Sequence, residues 1–178
     1  VEGRLYQQSM TDRESAHWVN LSALKNMLRR LKADVKTHGL MKKQILNKYE
    51  HSMLLGFICW SVHLELPMRN DLCTVRLARV PGDVKEQGNW YIISNGTFVF
   101  RVFKTAKFFK RRGWLPLKLT VSPATATTIR SYLRMRPDNE FLLQMLNGKR
   151  YSKNGFANLF KYAPKRYLNK QVGTSMLR

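Results

Sequence analysis

The sequence predicts an α+β fold, mostly helical, with a small three-stranded antiparallel sheet at one edge of the helices. Three observations carry that prediction. Leu21, Leu24, Leu28, Leu31 and Val35 recur at helical spacing, and a second stretch, residues 53–62, is apolar nearly all round and belongs in a core. Two β-rich runs, residues 89–94 and 97–103, flank Asn95-Gly96, the strongest short hairpin signal. The chain, 178 residues at 44% apolar content, has enough material for one domain with a real core.

Residues 1–20 are polar and aperiodic and read as a linker or the tail of an upstream domain, which leaves 21–178 as the domain proper. Asn20 is placed to cap a helix from Leu21 to about Thr37, which His38-Gly39 ends. A second helix is expected over residues 41–63, carrying Ile45, Tyr49, Met53, Leu54, Phe57, Ile58 and Trp60, with its later part in the core. Pro67 restarts the chain and puts Arg69 at the head of a short helix containing Leu72, Cys73 and Val75. Pro81-Gly82-Asp83 marks a loop, the hairpin follows, and Arg112-Gly113 precedes a third strand over 114–120. Ser122-Pro123 opens a helix to about residue 135. Beyond the apolar segment 141–145 and the Asn147-Gly148 turn, Ser152 caps a helix with Phe156, Leu159 and Phe160 inward, predicted to stop at Pro164. Gly173-Thr174 precedes what reads as the first turn of another helix, and both ends are expected to continue in a longer protein.

Charge is the compositional outlier. Lys and Arg total 32 against 11 Asp and Glu, a net +21, and self-repulsion of that size is best neutralised by a polyanion, so nucleic acid leads the partner classes. Cys59 and Cys73 make neither a disulfide framework nor a zinc-spaced cluster, which points to a reducing compartment. The longest apolar run is about half what a membrane helix needs, so no membrane partner is expected. Basic residues gather in three clusters, Arg29-Arg30-Lys32, 104–112 and 161–170. In the middle one, Lys104, Lys107, Lys110, Arg111 and Arg112 interleave with Phe103, Phe108, Phe109 and Trp114, on what reads as a hairpin. The charges, with no carboxylate in that segment to pair them, suit phosphate contacts. For the aromatics, strand alternation favours a core-facing role over contact with nucleic acid.

There is no Gly-rich phosphate loop, no GxSxG elbow and no HExxH, and Asp71, Asp83, Asp138 and Glu140 do not form an obvious two-metal set. No metal site is expected. Phosphoryl transfer without a metal needs cations on the nonbridging oxygens and a proton donor for the leaving oxygen.

The order of residues able to meet that need resembles the catalytic domain of tyrosine recombinases, the phage-integrase-like family, and especially its divergent members in eukaryotic mobile elements and large DNA viruses. The resemblance covers about residues 21–178. Leu66-Pro67-Met68-Arg69-Asn70-Asp71 is similar to the family's first-arginine motif, Phe103-Lys104-Thr105 to its catalytic lysine, and Gly173-Thr174-Ser175-Met176-Leu177-Arg178 to the start of its second box. The resemblance implies that Arg69 and Arg178 grip the scissile phosphate and that Lys104 protonates the leaving 5′-oxygen. Ser175 stands where the family often has His or Lys, and serine donates a hydrogen bond but does not shuttle a proton as imidazole does. The family's tyrosine nucleophile falls beyond Arg178, and no tyrosine of this chain is assigned to it.

Two functions follow as expectations. One is site-specific DNA recombination or integration through a 3′-phosphotyrosyl intermediate in the full-length protein, with no cofactor, DNA as partner (RNA as the variant), and self-association on DNA. The other is an inactive, recombinase-derived DNA- or RNA-binding module within a ribonucleoprotein. Either places the protein inside the cell wherever its target lies, in nucleus, viral factory or organelle. Lys107, Lys110, Arg111, Arg112, Lys161, Lys165 and Arg166 are the expected backbone contacts.

Overall fold

A computed structural model describes residues 12–66 and 70–174. Among them six α-helices and four strands follow in the order α1 (Asp12–His17), α2 (Leu21–Thr37), α3 (Lys48–His63), β1 (Val75–Ala78), β2 (Asn89–Ile92), β3 (Thr97–Phe100), α4 (Ala106–Arg111), β4 (Leu117–Thr120), α5 (Pro123–Arg134) and α6 (Lys153–Leu168). The fold class is α+β.

Local chemistry sets most helix ends. Asn20 Oδ1 accepts the Ala23 N–H at 2.8 Å, and Gly39, at φ 61°, takes the left-handed conformation past the last turn of α2. Leu24, Met27, Leu31 and Val35 are buried, whereas Leu21 is 56% exposed, so the inner face includes Met27 and leaves out Leu21. α3 starts later than the apolar spacing predicts. A capping box decides it: Asn47 Oδ1 accepts the Tyr49 and Glu50 N–H groups, and the Glu50 carboxylate accepts the Asn47 N–H. Ile45 (83% exposed) therefore precedes the helix expected to carry it, and Tyr49 (77%) faces outward in its first turn. From Met53 onward α3 is buried on every side and packs against α2, α5 and α6. Part of the segment read as a linker is also structured: α1 is tied to the chain beyond α6 by Lys170 Nζ on Ala16 O and by the Gln171 N–H on His17 Nδ1.

The sheet has four strands, not three, and is mixed. β2–β3 and β3–β4 pair antiparallel, but β1 pairs parallel with β2 over Val75↔Asn89 to Ala78↔Ile92. The stretch expected as a short helix is a 3-10 turn, Asn70–Thr74, and Val75 already belongs to β1. Apolar residues at 72, 73 and 75 suit a helical turn and a buried strand alike, and pairing with β2 settles it. The outer edge of β1 is covered by residues 140–142, through Leu77 N–H on Glu140 O and Leu142 N–H on Val75 O. At the hairpin Gly96 is required twice over: its φ is 71°, and an added Cβ would lie 2.9 Å from Ala126 Cβ. Tyr91, Phe98 and Phe100 face the helices, while Trp90, Ile92, Val99 and Ala78 form a separate small cluster on the opposite face.

α6 passes through Pro164, where the sequence predicts a stop. Proline has no N–H, so the carbonyl four residues earlier, Phe160 O, loses its helical donor. The buried Trp60 supplies a substitute: its indole Nε1–H donates to Phe160 O at 2.9 Å, with the two rings stacked at 4.3 Å. The helix ends instead at Asn169, in the left-handed conformation at φ 51°.

Glu65, next to the Leu66-Pro67 segment, binds the start of α5. Its carboxylate accepts the Ser122 N–H at 2.7 Å, the Ser122 hydroxyl at 2.6 Å and the Thr125 hydroxyl. Burial pushes the Glu65 pKa up, but the Ser122 and Thr125 hydrogen bonds outweigh it and hold the carboxyl below its ordinary 4.5. A depressed folded pKa gives stability that is present above the unfolded pKa and lost as pH falls through the folded value. Glu65→Gln is therefore expected to lower stability by about 1 kcal/mol at neutral pH, in the range of a lost helix cap. In urea titrations the gap to wild type should close below about pH 4; a gap that persists there contradicts the assignment.

Candidate nucleic-acid interface

A cavity of about 1000 Å³ opens where the 3-10 turn, the starts of β1 and β2, the loop after β3 and the start of α6 meet. Its ionisable lining, among the described residues, is five cations, Arg76, Lys85, Lys104, Arg150 and Lys153, with one carboxylate, Asp71. Such a lining suits an anion carrying several oxygens.

Lys104 reaches this cavity because of Asn89. β3 ends at Phe100, short of the expected residue 103, and Lys104 lies in the turn that follows. Asn89 is 1% exposed, and its carboxamide is fully engaged. Oδ1 accepts the Arg101 and Val102 N–H groups, both at 3.0 Å; Nδ2 donates to Val102 O at 2.8 Å and to Thr74 Oγ1 at 3.0 Å. One side chain thus fastens the approach to Lys104 onto both β2 and the 3-10 turn. Sequence reasoning treated Asn89 only as the first residue of a β run. The available signal was its residue type, since Asn is poorly suited to a strand unless its side chain bonds backbone. Asn89→Leu, nearly the same size, leaves the Arg101 and Val102 N–H groups without their acceptor and is expected to cost about 2 kcal/mol. Thermal or chemical denaturation measures this, and an unchanged midpoint refutes the fastening role.

The cavity also joins two segments far apart in the chain. Thr174 Oγ1 and Asn70 Oδ1 are 3.1 Å apart, with the hydroxyl donating, and both residues line it. Asn70 directly follows Arg69, and Thr174 directly precedes Ser175. Arg69, Ser175 and Arg178 themselves lie outside the described residues. Arg150 and Lys153 belong to none of the three basic clusters singled out in the sequence; the chain after the Asn147-Gly148 turn and the start of α6 bring them to the cavity. Arg76, 3.6 Å from Glu140, lies near the Phe141 and Trp90 rings at 5.6 and 6.0 Å.

The other expected contacts divide. Lys107, Lys110 and Arg111 sit exposed on α4 and do not line the cavity, which separates Lys104 from its neighbours. α4 also corrects the hairpin reading of this basic stretch: Ala, Lys and Arg favour helix, and no β-branched residue lies within Ala106–Arg111. Of the aromatics expected to face the core, Phe103 packs against it, partly buried, and others do not. Phe108 and Trp114 are 50% and 53% exposed. On α6, Arg166 lies 3.8 Å from Asp34, and Tyr167 donates to the same carboxylate at 2.6 Å. Arg30 donates to Tyr167 O at 3.0 Å, placing a cation at the C-terminal end of α6. These residues brace α2 against α6, and Lys161, Lys165 and Arg166 stay outside the cavity.

No tyrosine among the described residues lines the cavity. Burial pushes Tyr91 and Tyr132 up to about 12, so both stay protonated at neutral pH. Cys59 is buried and its thiol is likewise pushed up. Among the described residues no group of three or more His, Cys, Asp or Glu is placed to hold a metal, and no helix is long and apolar enough to cross a membrane. The chain matches no protein-family model, no curated protein and no solved structure.

Proposed function

We propose that the chain is the phosphate-gripping portion of a tyrosine-recombinase-like enzyme that breaks and rejoins DNA. In this reading Arg69 and Arg178 hold the nonbridging oxygens of one phosphate, Ser175 adds a hydrogen bond, and Lys104 protonates the 5′-oxygen as it leaves. The tyrosine that would carry the 3′-phosphoryl group belongs to the full-length protein. The observation that supports the reading is the juxtaposition of Lys104, in a cavity rich in cations, with the Asn70–Thr174 bond that links the neighbours of Arg69 and Ser175.

A second reading, a binding module without chemistry, draws on the same cavity: five cations against one carboxylate among the described lining residues suit a phosphate without any reaction. Two measurements separate the possibilities. Under both readings DNA affinity falls with salt at a log–log slope of about −0.9 per phosphate neutralised, and Arg150→Ala with Lys153→Ala makes the slope shallower by about 1.8. Only the enzyme, in full length, leaves protein covalently attached to a suicide DNA substrate. Salt-dependent binding without an adduct selects the module, and no binding at low salt removes both.

A further inference from the structure

We propose that Phe108, Arg112 and Trp114 form a stacking platform for an unpaired base of single-stranded DNA, beside the phosphate cavity. The proposal rests on the nucleic-acid reading above and names the strand state that the site prefers. Phe108 and Trp114 are each about half exposed, a costly way to place large rings in a chain with a well-filled core. They are also held in place. Gly113, at φ 70°, turns the chain so that the Trp114 N–H returns to Phe109 O at 3.0 Å. Trp114 meets Phe108 and Phe109 edge-on at 6.4 and 5.8 Å.

The Arg112 guanidinium lies 4.0 Å from the Phe108 ring centre and 5.0 Å from that of Trp114, adding a charged plane to the rings. Lys104, Lys107, Lys110 and Arg111 neighbour them in the chain, with no carboxylate anywhere from residue 101 to 120. Phe103 makes the link to the cavity: it lines the cavity wall and packs edge-on against Phe109 at 5.3 Å. A strand whose phosphates lie on these cations brings its bases to the rings. In a paired duplex the base faces are already stacked on one another, so an unpaired stretch is the fitting occupant.

The test compares a labelled 15-nucleotide oligothymidine with an abasic strand of equal phosphate count, by fluorescence anisotropy on the full chain. Stacking predicts about tenfold or tighter binding of the base-bearing strand. Phe108→Leu with Trp114→Leu should bring the ratio near one while leaving abasic binding and the salt slope unchanged. Trp60 is buried and Trp90 lines the cavity, so in a Trp18→Phe background the part of the thymidine quenching that is lost on Trp114→Phe reports Trp114. Equal binding of both strands by wild type, a ratio that survives the double substitution, or no quenching overturns the platform. If neither strand binds, the nucleic-acid reading falls as well, so the two failures are distinguishable.

Discussion

Lys104→Ala is expected to slow DNA cleavage by the full-length protein about 10²–10⁴-fold, the range of a lost general acid, while DNA affinity falls only by one cation's share. The asymmetry follows from the surroundings. Four other cations, Arg76, Lys85, Arg150 and Lys153, line the same cavity and would still attract a phosphate under the proposed reading. Proton donation to one particular oxygen has no such redundancy. Replacing the bridging 5′-oxygen of the substrate by sulfur isolates that role. A thiol has a pKa of about 8.5 and leaves as thiolate without a proton, whereas an alkoxide does not. On the sulfur substrate Lys104→Ala should cleave at close to the wild-type rate. If the variant is equally slow on both substrates, Lys104 grips or positions and the acid is another group. If Lys107→Ala or Lys110→Ala shows the rescue instead, the assignment moves onto α4.

The parts of this molecule legible in the sequence are those decided within a few residues. Asn20, Ser122 and Ser152 announce their helices because each side chain accepts an N–H three residues on. Asn95-Gly96 announces its hairpin because the turn needs a positive φ. What escaped is decided at long range. β1 is a strand because β2 and Phe141 flank it, a fact that Val75 and its neighbours do not encode. Phe108 and Trp114 lie among charges as strand residues do, yet they end up on and beside a six-residue helix and half exposed. The site divides in the same way. Lys104 stands out through its place after a β run, whereas Arg150 and Lys153 are ordinary surface residues until the fold converges them. Asn89 is informative only once its four hydrogen bonds are seen to terminate on the chain that leads to Lys104.

Trp60 carries the largest expected effect on stability. It is fully buried, stacks on Phe160 and replaces the missing amide of Pro164. Trp60→Ala removes both the packing and the donor and should cost about 3–5 kcal/mol by chemical denaturation. The packing and hydrogen-bond contributions separate in a double-mutant cycle. Trp60→Phe keeps much of the aromatic volume but leaves Phe160 O without a partner, at about 1–3 kcal/mol for the orphaned group in addition to the smaller ring. Pro164→Ala restores an amide N–H that can donate to that same carbonyl. If the indole stands in for the proline's absent donor, the two substitutions together should be less destabilising than their sum, with a coupling of about 1 kcal/mol or more. Strict additivity would mean that the carbonyl does not need the indole, and another cause would then be required for a helix running through Pro164. The effect extends to the cavity, because α3 leads directly into the Leu66-Pro67 segment and α6 begins at Lys153. Loosening the contact between these helices should therefore weaken DNA binding in Trp60→Phe, and Pro164→Ala should restore binding in parallel with stability.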